Sequence, residues 1–182
     1  MEWQEFALIM GVALAFTMVL GQWTAMALGC VGAMQHVVAL TMSPAPRKFP
    51  NLKFVISEGG IGWVPAMLER ADRQYPRHKY WAGGLDDMLP SEIAHRNIWW
   101  CLIEEPWGIS MRHDIGIEHV MWECDYPHTD TPWPNSQVAA KIMFDGIPRE
   151  EADMITHGNA EKLFKWRCPD PAGYRSLSTT GS

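Results

Sequence analysis

The chain has 182 residues, of which 47% are hydrophobic and 20% charged, which is the composition of a globular protein with one ordinary domain. Its formal net charge of −6 and the lack of any basic run in the sequence argue against a nucleic-acid partner, because phosphate binding needs clustered Lys and Arg. The four cysteines are far apart and fit no metal-binding spacing, which favours free thiols in a reducing, cytoplasmic compartment.

The N-terminal part of the chain carries no charge from Phe6 to Met34. This apolar stretch is long enough to span a bilayer, but acidic rather than basic residues precede it, so a secretory signal peptide is not expected. Three interpretations stay open: a membrane anchor, a helix pair buried in a larger fold, and a sequence foreign to the domain that follows. The rest of the chain favours the third, and a membrane partner is not expected.

The remaining sequence alternates between predicted helices and predicted strands. The predicted strands are Asn51–Gly60, Asn97–Glu105 and His119–Asp125. The predicted helices are Cys30–Met42, Gly62–Tyr75, the short Ile109–Gly116, Pro134–Gly146 and Pro148–Trp166, the last of them broken at Gly158, while Pro76–Leu89 is predicted to be a loop. Nearly continuous apolar strands between helices are typical of a parallel sheet covered on its faces, so the fold class is α/β.

Each predicted strand ends on acidic residues: Glu58, then Glu104 with Glu105, then Asp125. Because the carboxyl ends of parallel strands meet at one edge of the sheet, these acids are expected to lie near one another, where the active sites of such folds are built. Acids packed together repel one another unless a metal ion, a proton or a basic group compensates for their charge. Each acid also has a purely structural interpretation, in which it caps the helix that follows or binds the amides of that helix, and Glu104 and Glu105 have the further alternative of simple exposure to solvent.

Three stretches of the sequence resemble the amidohydrolase-related metal-dependent hydrolases and decarboxylases, the group that includes aminocarboxymuconate semialdehyde decarboxylase. They are Phe49–Asp72, which contains SEGG, Asn97–Ser136, which contains WECDYPH, and Gly158–Trp166. The resemblance implies a (β/α)₈ TIM barrel, of which this chain holds the C-terminal portion of about three β/α units, and one divalent metal ion, usually zinc. It also implies hydrolysis or non-oxidative decarboxylation of a small-molecule substrate, with the choice between the two reactions open.

The resemblance assigns roles to individual residues. Asp125 falls on the family aspartate that binds the metal and orients or deprotonates the metal-bound water. Glu58 stands where the decarboxylases have a catalytic histidine, so it is expected to be a general acid or base, or a further metal ligand. We expect His128, Trp63 and Trp133 to contact substrate, and the tryptophans suit a small aromatic or unsaturated carboxylate.

The sequence also departs from the family pattern. No two of its seven histidines are separated by one residue, so the His-x-His pair of the family is missing, and the histidine of the fifth strand is not evident either. The matched region corresponds to the last three of eight strands, which by themselves cannot close a barrel.

These departures favour a truncated enzyme, in which residues 1–24 are the apolar helical segment, 25–168 a partial barrel domain and 169–182 a disordered tail. The alternative is an inactive remnant, or an interaction module that folds only with a partner chain. Pairing between copies of the chain is also open.

Overall fold

The computed structural model of the protein describes residues 33–80 and 85–166. The expectations for the apolar segment 1–24 and for the tail 169–182 concern parts of the chain outside these described residues. Residues 33–41 are helical and form the described part of α1, in agreement with the helix predicted at Cys30–Met42.

The other described elements alternate between helices and short strands. In chain order they are α2 (Ala45–Lys48), β1 (Phe54–Ile56), α3 (Val64–His78), α4 (Pro90–Asn97), β2 (Ile98–Leu102), α5 (Pro106–Ser110), α6 (Arg112–Ile115), a 3₁₀ turn (Ile117–His119), β3 (Val120–Trp122), α7 (Ser136–Met143), α8 (Arg149–Asp153), a π-helical turn (Met154–Gly158) and α9 (Asn159–Phe164). This order reproduces the predicted alternation of helices and strands.

The three strands form one parallel sheet in the order β1–β2–β3. Trp100 lies at its centre, because it is level with Ile56 on one side and with Val120 on the other. The carboxyl ends of all three strands therefore meet at the same edge of the sheet, as predicted from the apolar strands. The parallel sheet and its helices are consistent with part of a TIM barrel.

The two faces of the sheet are packed differently. Alternate strand residues, among them Ile98, Trp100 and Leu102, point to the helix-covered face and join the main core with α3 and α4. The intervening residues Trp99 and Cys101, with Met121 from β3, form a smaller cluster on the opposite face. This two-residue alternation is the pattern that a pleated strand imposes on its side chains.

Two buried asparagines tie loops and helices to the ends of the sheet. Asn97 donates hydrogen bonds from Nδ2 to the carbonyls of Pro50 and Leu52, at 3.1 and 2.5 Å. Asn159 donates from Nδ2 to the carbonyls of Ile117 and Val120, at 2.8 and 2.7 Å. Each side chain is thus buried with its amide group hydrogen-bonded to two backbone carbonyls, as buried polar groups usually are.

Several predicted boundaries were wrong. All three strands are shorter than predicted, and the loop predicted at Pro76–Leu89 begins later, because α3 continues to His78 with Pro76 in its last turn. The helix predicted at Ile109–Gly116 is two short helices, and no break occurs at Gly158, whose φ of −59° and ψ of −41° continue the helix.

The helix α4 was not predicted at all. Its sequence is mostly polar, and its start depends on a local contact in which the Glu92 side chain accepts a hydrogen bond from the Leu89 amide at 2.7 Å. Burial of Ile93 and Ala94 against the main core then holds it in place. Among the described residues, no helix has both the length and the apolar character needed to cross a membrane.

Candidate active site

The candidate active site lies at the carboxyl ends of the three strands, where the loop after β3 brings Asp125 and His128 together. The Nδ1 atom of His128 is 2.8 Å from Oδ2 of Asp125. A carboxylate can only accept a hydrogen bond, so in the neutral imidazole the proton lies on Nδ1 and the Nε2 atom keeps a free lone pair. The Asp125 side chain is 19% exposed, whereas that of His128 is 61% exposed, so the histidine faces the open side of the pair.

Glu58 joins this pair from the loop after β1. One ligand-capable atom from each of Glu58, Asp125 and His128 lies within 4.8 Å of those of the other two. These residues are 67 and 3 positions apart in the sequence, and it is the parallel arrangement of β1 and β3 that brings them together. The geometry thus assembles two carboxylates and one imidazole at a single point.

Both acids occupy an unusual backbone conformation. Glu58 has a φ of 56° and Asp125 a φ of 53°, which places both in the left-handed region that residues with a Cβ atom rarely adopt. Such conformations persist only where the surrounding structure holds them, and they are concentrated at functional sites. In this protein they turn the chain sharply at the ends of two strands and direct the two carboxylates toward each other.

The loop after β1 is held in place by Glu105. Its Oε2 atom accepts hydrogen bonds from the amides of Ile61 and Gly62, at 2.8 and 3.2 Å. The carboxylate lies so close to Gly60 that a Cβ atom there would overlap it, and the φ of 64° at Gly60 also favours glycine. Glu105 therefore has a structural role, but not the predicted one: its side chain makes no capping hydrogen bond to α5, the helix that follows it, and binds the loop after β1 instead.

A second carboxylate, that of Glu123, holds the same loop from the side of β3. Its Oε2 atom accepts a hydrogen bond from the Ser57 hydroxyl at 2.5 Å, and its Oε1 atom accepts one from the Glu58 amide at 2.6 Å. These contacts reach from β3 to β1 across the intervening strand β2. Glu123 was not singled out from the sequence, although it directly follows β3 and is two residues before Asp125.

A cavity of about 110 Å³ adjoins the site and is strongly acidic. Apart from Gly60 and Ile103, all of its lining residues carry carboxylates; they are Glu58, Glu104, Glu105, Glu123 and Asp130. No Lys or Arg of the described chain is among the lining residues, so a cation is the species that this electrostatic environment favours.

Aromatic side chains lie on the loop that carries Asp125 and His128. The rings of Tyr126 and Trp133 are 4.4 Å apart between centroids, and both side chains are more than half exposed. Trp63 has a different environment, because its Nε1 atom donates to the Gly59 carbonyl at 2.7 Å and its ring packs edge-on against Trp100. Of the two tryptophans expected to contact substrate, Trp133 is the one on the open surface of the loop.

The two described cysteines are free thiols in contrasting environments. Burial raises the pKa of Cys101 to about 12, so this residue is an inert part of the core. Hydrogen bonds from Ser136 and Thr131 lower the pKa of Cys124, which directly precedes Asp125. Neither is bonded to another cysteine, in line with the predicted free thiols.

The donor atoms at the site suit a divalent cation. Carboxylate oxygens and an imidazole nitrogen are ligands for Mn²⁺ and Zn²⁺ alike, and the remaining acids of the cavity add negative charge around them. The sequence had identified Asp125 as the metal ligand and His128 as a substrate contact. The geometry places a ligand-capable atom of His128 and one of Glu58 within 4.8 Å of Asp125, which makes all three residues candidate ligands.

Solved structures similar to this chain share its fold. A 5-carboxyvanillate decarboxylase from Sphingomonas paucimobilis is 26% identical, with a TM-score of 0.61, over 71% of this chain and 38% of that one. An amidohydrolase from Mycobacterium avium subsp. paratuberculosis is 20% identical, with a TM-score of 0.59, over 70% and 32% of the two chains. A dihydroxybenzoic acid decarboxylase from a Polaromonas strain, solved with manganese and 2-nitroresorcinol, is 19% identical, with a TM-score of 0.59, over 76% and 42%.

The chain therefore spans less than half the length of each of these structures. A search of curated protein sequences gave no match. The profile of the amidohydrolase family, however, matches residues 16–166, which is most of the chain. This match confirms the family that the WECDYPH and SEGG stretches indicated, and the chain belongs to the amidohydrolase family.

Proposed function

We propose that this protein is the catalytic part of a metal-dependent decarboxylase that acts on small aromatic carboxylates, with Asp125, Glu58 and His128 at its centre. The observation that carries the proposal is the convergence of these three side chains at the carboxyl ends of parallel strands. The 26% identity to a 5-carboxyvanillate decarboxylase supports decarboxylation over hydrolysis, the reaction that the sequence left open beside it.

The positions of these three residues indicate how they would bind a cation. Asp125 and His128, fixed to each other by their hydrogen bond, would hold the cation together with Glu58. A divalent cation supplies Lewis acidity toward the substrate oxygens. The oxygen-rich donor set makes Mn²⁺ the first cation to test, with Zn²⁺, the metal expected from the sequence, as the comparison.

Non-oxidative decarboxylation breaks the bond between the ring carbon and the carboxylate, releases CO₂, and requires a proton at the same ring carbon. Glu58 is the side chain that we assign to deliver this proton, because it is exposed, lines the acidic cavity and lies beside Asp125. Only one of its two oxygens is needed for the cation, which leaves the other to pass a proton from solvent to the ring carbon. His128 and Trp133 would orient the substrate, with Tyr126 next to Trp133 as a second aromatic surface for the ring.

Asp125→Asn tests the cation site. We expect this change to weaken Mn²⁺ binding by about 100-fold or more, because it removes an anionic ligand from the least exposed position of the site. Asp130→Asn removes the same charge from the adjoining acidic cavity, outside the three-residue cluster, so it should change the affinity by about threefold or less. Electron paramagnetic resonance of free Mn²⁺ measures both affinities.

The reaction is tested by CO₂ release from a dihydroxybenzoate in the presence of Mn²⁺. The wild-type chain should release CO₂, and Asp125→Asn should abolish this release while Asp130→Asn retains it. An absence of CO₂ from the Mn²⁺-loaded wild-type chain, or equal loss in both variants, would contradict the proposed function.

A further inference from the structure

We infer that Glu123 is a positioning residue that fixes the backbone of Glu58, and that the cation site is complete only while this contact holds. The inference rests on the proposed function, since it concerns the same site. It assigns Glu123 no contact with substrate. Its role is to determine where the Glu58 carboxylate lies.

Glu123 lines the acidic cavity, but the hydrogen bonds that its carboxylate accepts come from the loop after β1. Both of its carboxylate oxygens accept hydrogen bonds from consecutive residues, Oε2 from the Ser57 hydroxyl at 2.5 Å and Oε1 from the Glu58 amide at 2.6 Å. Charge-assisted hydrogen bonds of this kind are about twice as strong as neutral ones. With each oxygen already engaged by the loop, a structural role is favoured over direct binding of a cation.

The conformation of Glu58 explains why such a contact is needed. Its φ of 56° is unfavourable for a residue with a Cβ atom, so the isolated loop would relax toward ordinary backbone angles. Glu123 holds the amide of the strained residue itself, and Glu105 holds the amides of Ile61 and Gly62 farther along the same loop. Glu123 therefore holds the strained residue Glu58 directly, whereas Glu105 holds the loop a few positions after it.

The position of Glu123 also links the two halves of the site. Glu123 is two residues before Asp125, and its amide donates to the Leu102 carbonyl at 3.0 Å, which anchors it to β2. A single segment at the end of β3 thus provides Asp125 and also determines the position of Glu58. The spacing between the two acids is fixed by this segment rather than by the flexible side chain of Glu58 alone.

Three variants separate positioning from charge. Glu123→Ala removes both the contact and the charge, while Glu123→Gln removes the charge but keeps an oxygen for the Glu58 amide and an NH₂ group for the Ser57 hydroxyl. Glu104→Ala is the matched control, because Glu104 is exposed in the same cavity and has no hydrogen bond from the loop among the described residues. Two properties are measured: the exchange rate of the Glu58 amide hydrogen in metal-free protein, by nuclear magnetic resonance, and the affinity for Mn²⁺.

We expect Glu123→Ala to accelerate exchange of the Glu58 amide and to weaken Mn²⁺ binding, each by about tenfold or more, the loss typical of groups that orient a metal ligand. Glu123→Gln and Glu104→Ala should change either quantity by about threefold or less. Unchanged exchange in Glu123→Ala, or equal loss of affinity in Glu104→Ala, would overturn the inference. If the wild-type chain binds no Mn²⁺, the proposed function fails, whereas the exchange rates still decide whether Glu123 holds Glu58.

Discussion

At the scale of single residues, burial determines the protonation state of His119. His119 stacks on Trp99 with 4.2 Å between ring centroids, and its Nδ1 atom is buried with no hydrogen-bond partner among residues 33–80 and 85–166. Burial lowers the pKa of His119 below its usual value of 6.5. The folded protein therefore keeps this imidazole neutral at a pH where the unfolded chain has already taken up a proton.

This difference predicts how stability changes with pH. Because the unfolded state binds more protons below pH 6.5, the contribution of His119 to stability is present above that pH and is lost as the pH falls through it. His119→Phe retains an aromatic ring against Trp99 but cannot be protonated. Urea unfolding at a series of pH values should show a weaker loss of stability on acidification in this variant than in the wild-type chain. Parallel stability curves for the two proteins would show that His119 does not contribute.

At the scale of elements, the end of the sheet depends on a side chain from α9. Asn159 is 2% exposed and donates to the carbonyls of Ile117, just before β3, and Val120, in β3, so Asn159→Ala would remove two hydrogen bonds from a buried site. We expect the free energy of unfolding to decrease by about 2 kcal/mol, at about 1 kcal/mol for each lost hydrogen bond. Asn135→Ala is the control, because Asn135 precedes α7 but its side chain makes no capping hydrogen bond, and it should cost about 0.5 kcal/mol or less. Equal losses in the two variants would show that the contacts of Asn159 are not what holds α9 to β3.

The helices and strands also show which features of the fold an apolar sequence pattern can predict. Apolar runs located all three strands and the amphipathic spacing located α3, whose buried residues include Val64, Leu68 and Ala71. Strand ends were misplaced because pairing with β2 stops after three residues in β1, a limit that depends on the neighbouring strand. The helix α4 escaped prediction because the burial of its two apolar residues depends on the core that it joins.

At the scale of the whole molecule, one main core joins the sheet to the helices that cover one of its faces. Trp100 lies at the centre of this core, with 1% of its surface exposed, and contacts the ring of Trp63. Trp100→Ala should reduce the free energy of unfolding by about 3–5 kcal/mol, because it leaves a large cavity between two layers. Trp107→Ala removes the same side chain from a position that is 70% exposed and should cost about 0.5 kcal/mol or less. Denaturant unfolding measures both, and a similar loss in the two variants would contradict a single core centred on β2.

The candidate site could be predicted only in part. The acids Glu58 and Asp125 were identified from their places after apolar strands and from the WECDYPH stretch, and the fold brings them within reach of each other and of His128. Their roles in catalysis and metal binding, like the pairing of copies of the chain, stay predictions. Glu123 was missed because a residue that orients another one carries no sequence signal of its own. Tyr126 was missed although it lies in the WECDYPH stretch, because its place beside Trp133 depends on the fold of the loop.

The sequence by itself determined the alternation of strands and helices, the acids at the strand ends and the family, because each of these is a property of neighbouring residues or of a short motif. Only the tertiary structure decided which acids meet. Glu58 and Asp125 converge because β1 and β3 are parallel and because both residues have left-handed backbone angles. Glu105 does not join them, because its carboxylate accepts hydrogen bonds from the amides of Ile61 and Gly62, which are 44 and 43 residues away in the sequence. Such contacts arise from packing between distant segments, and no local pattern specifies them.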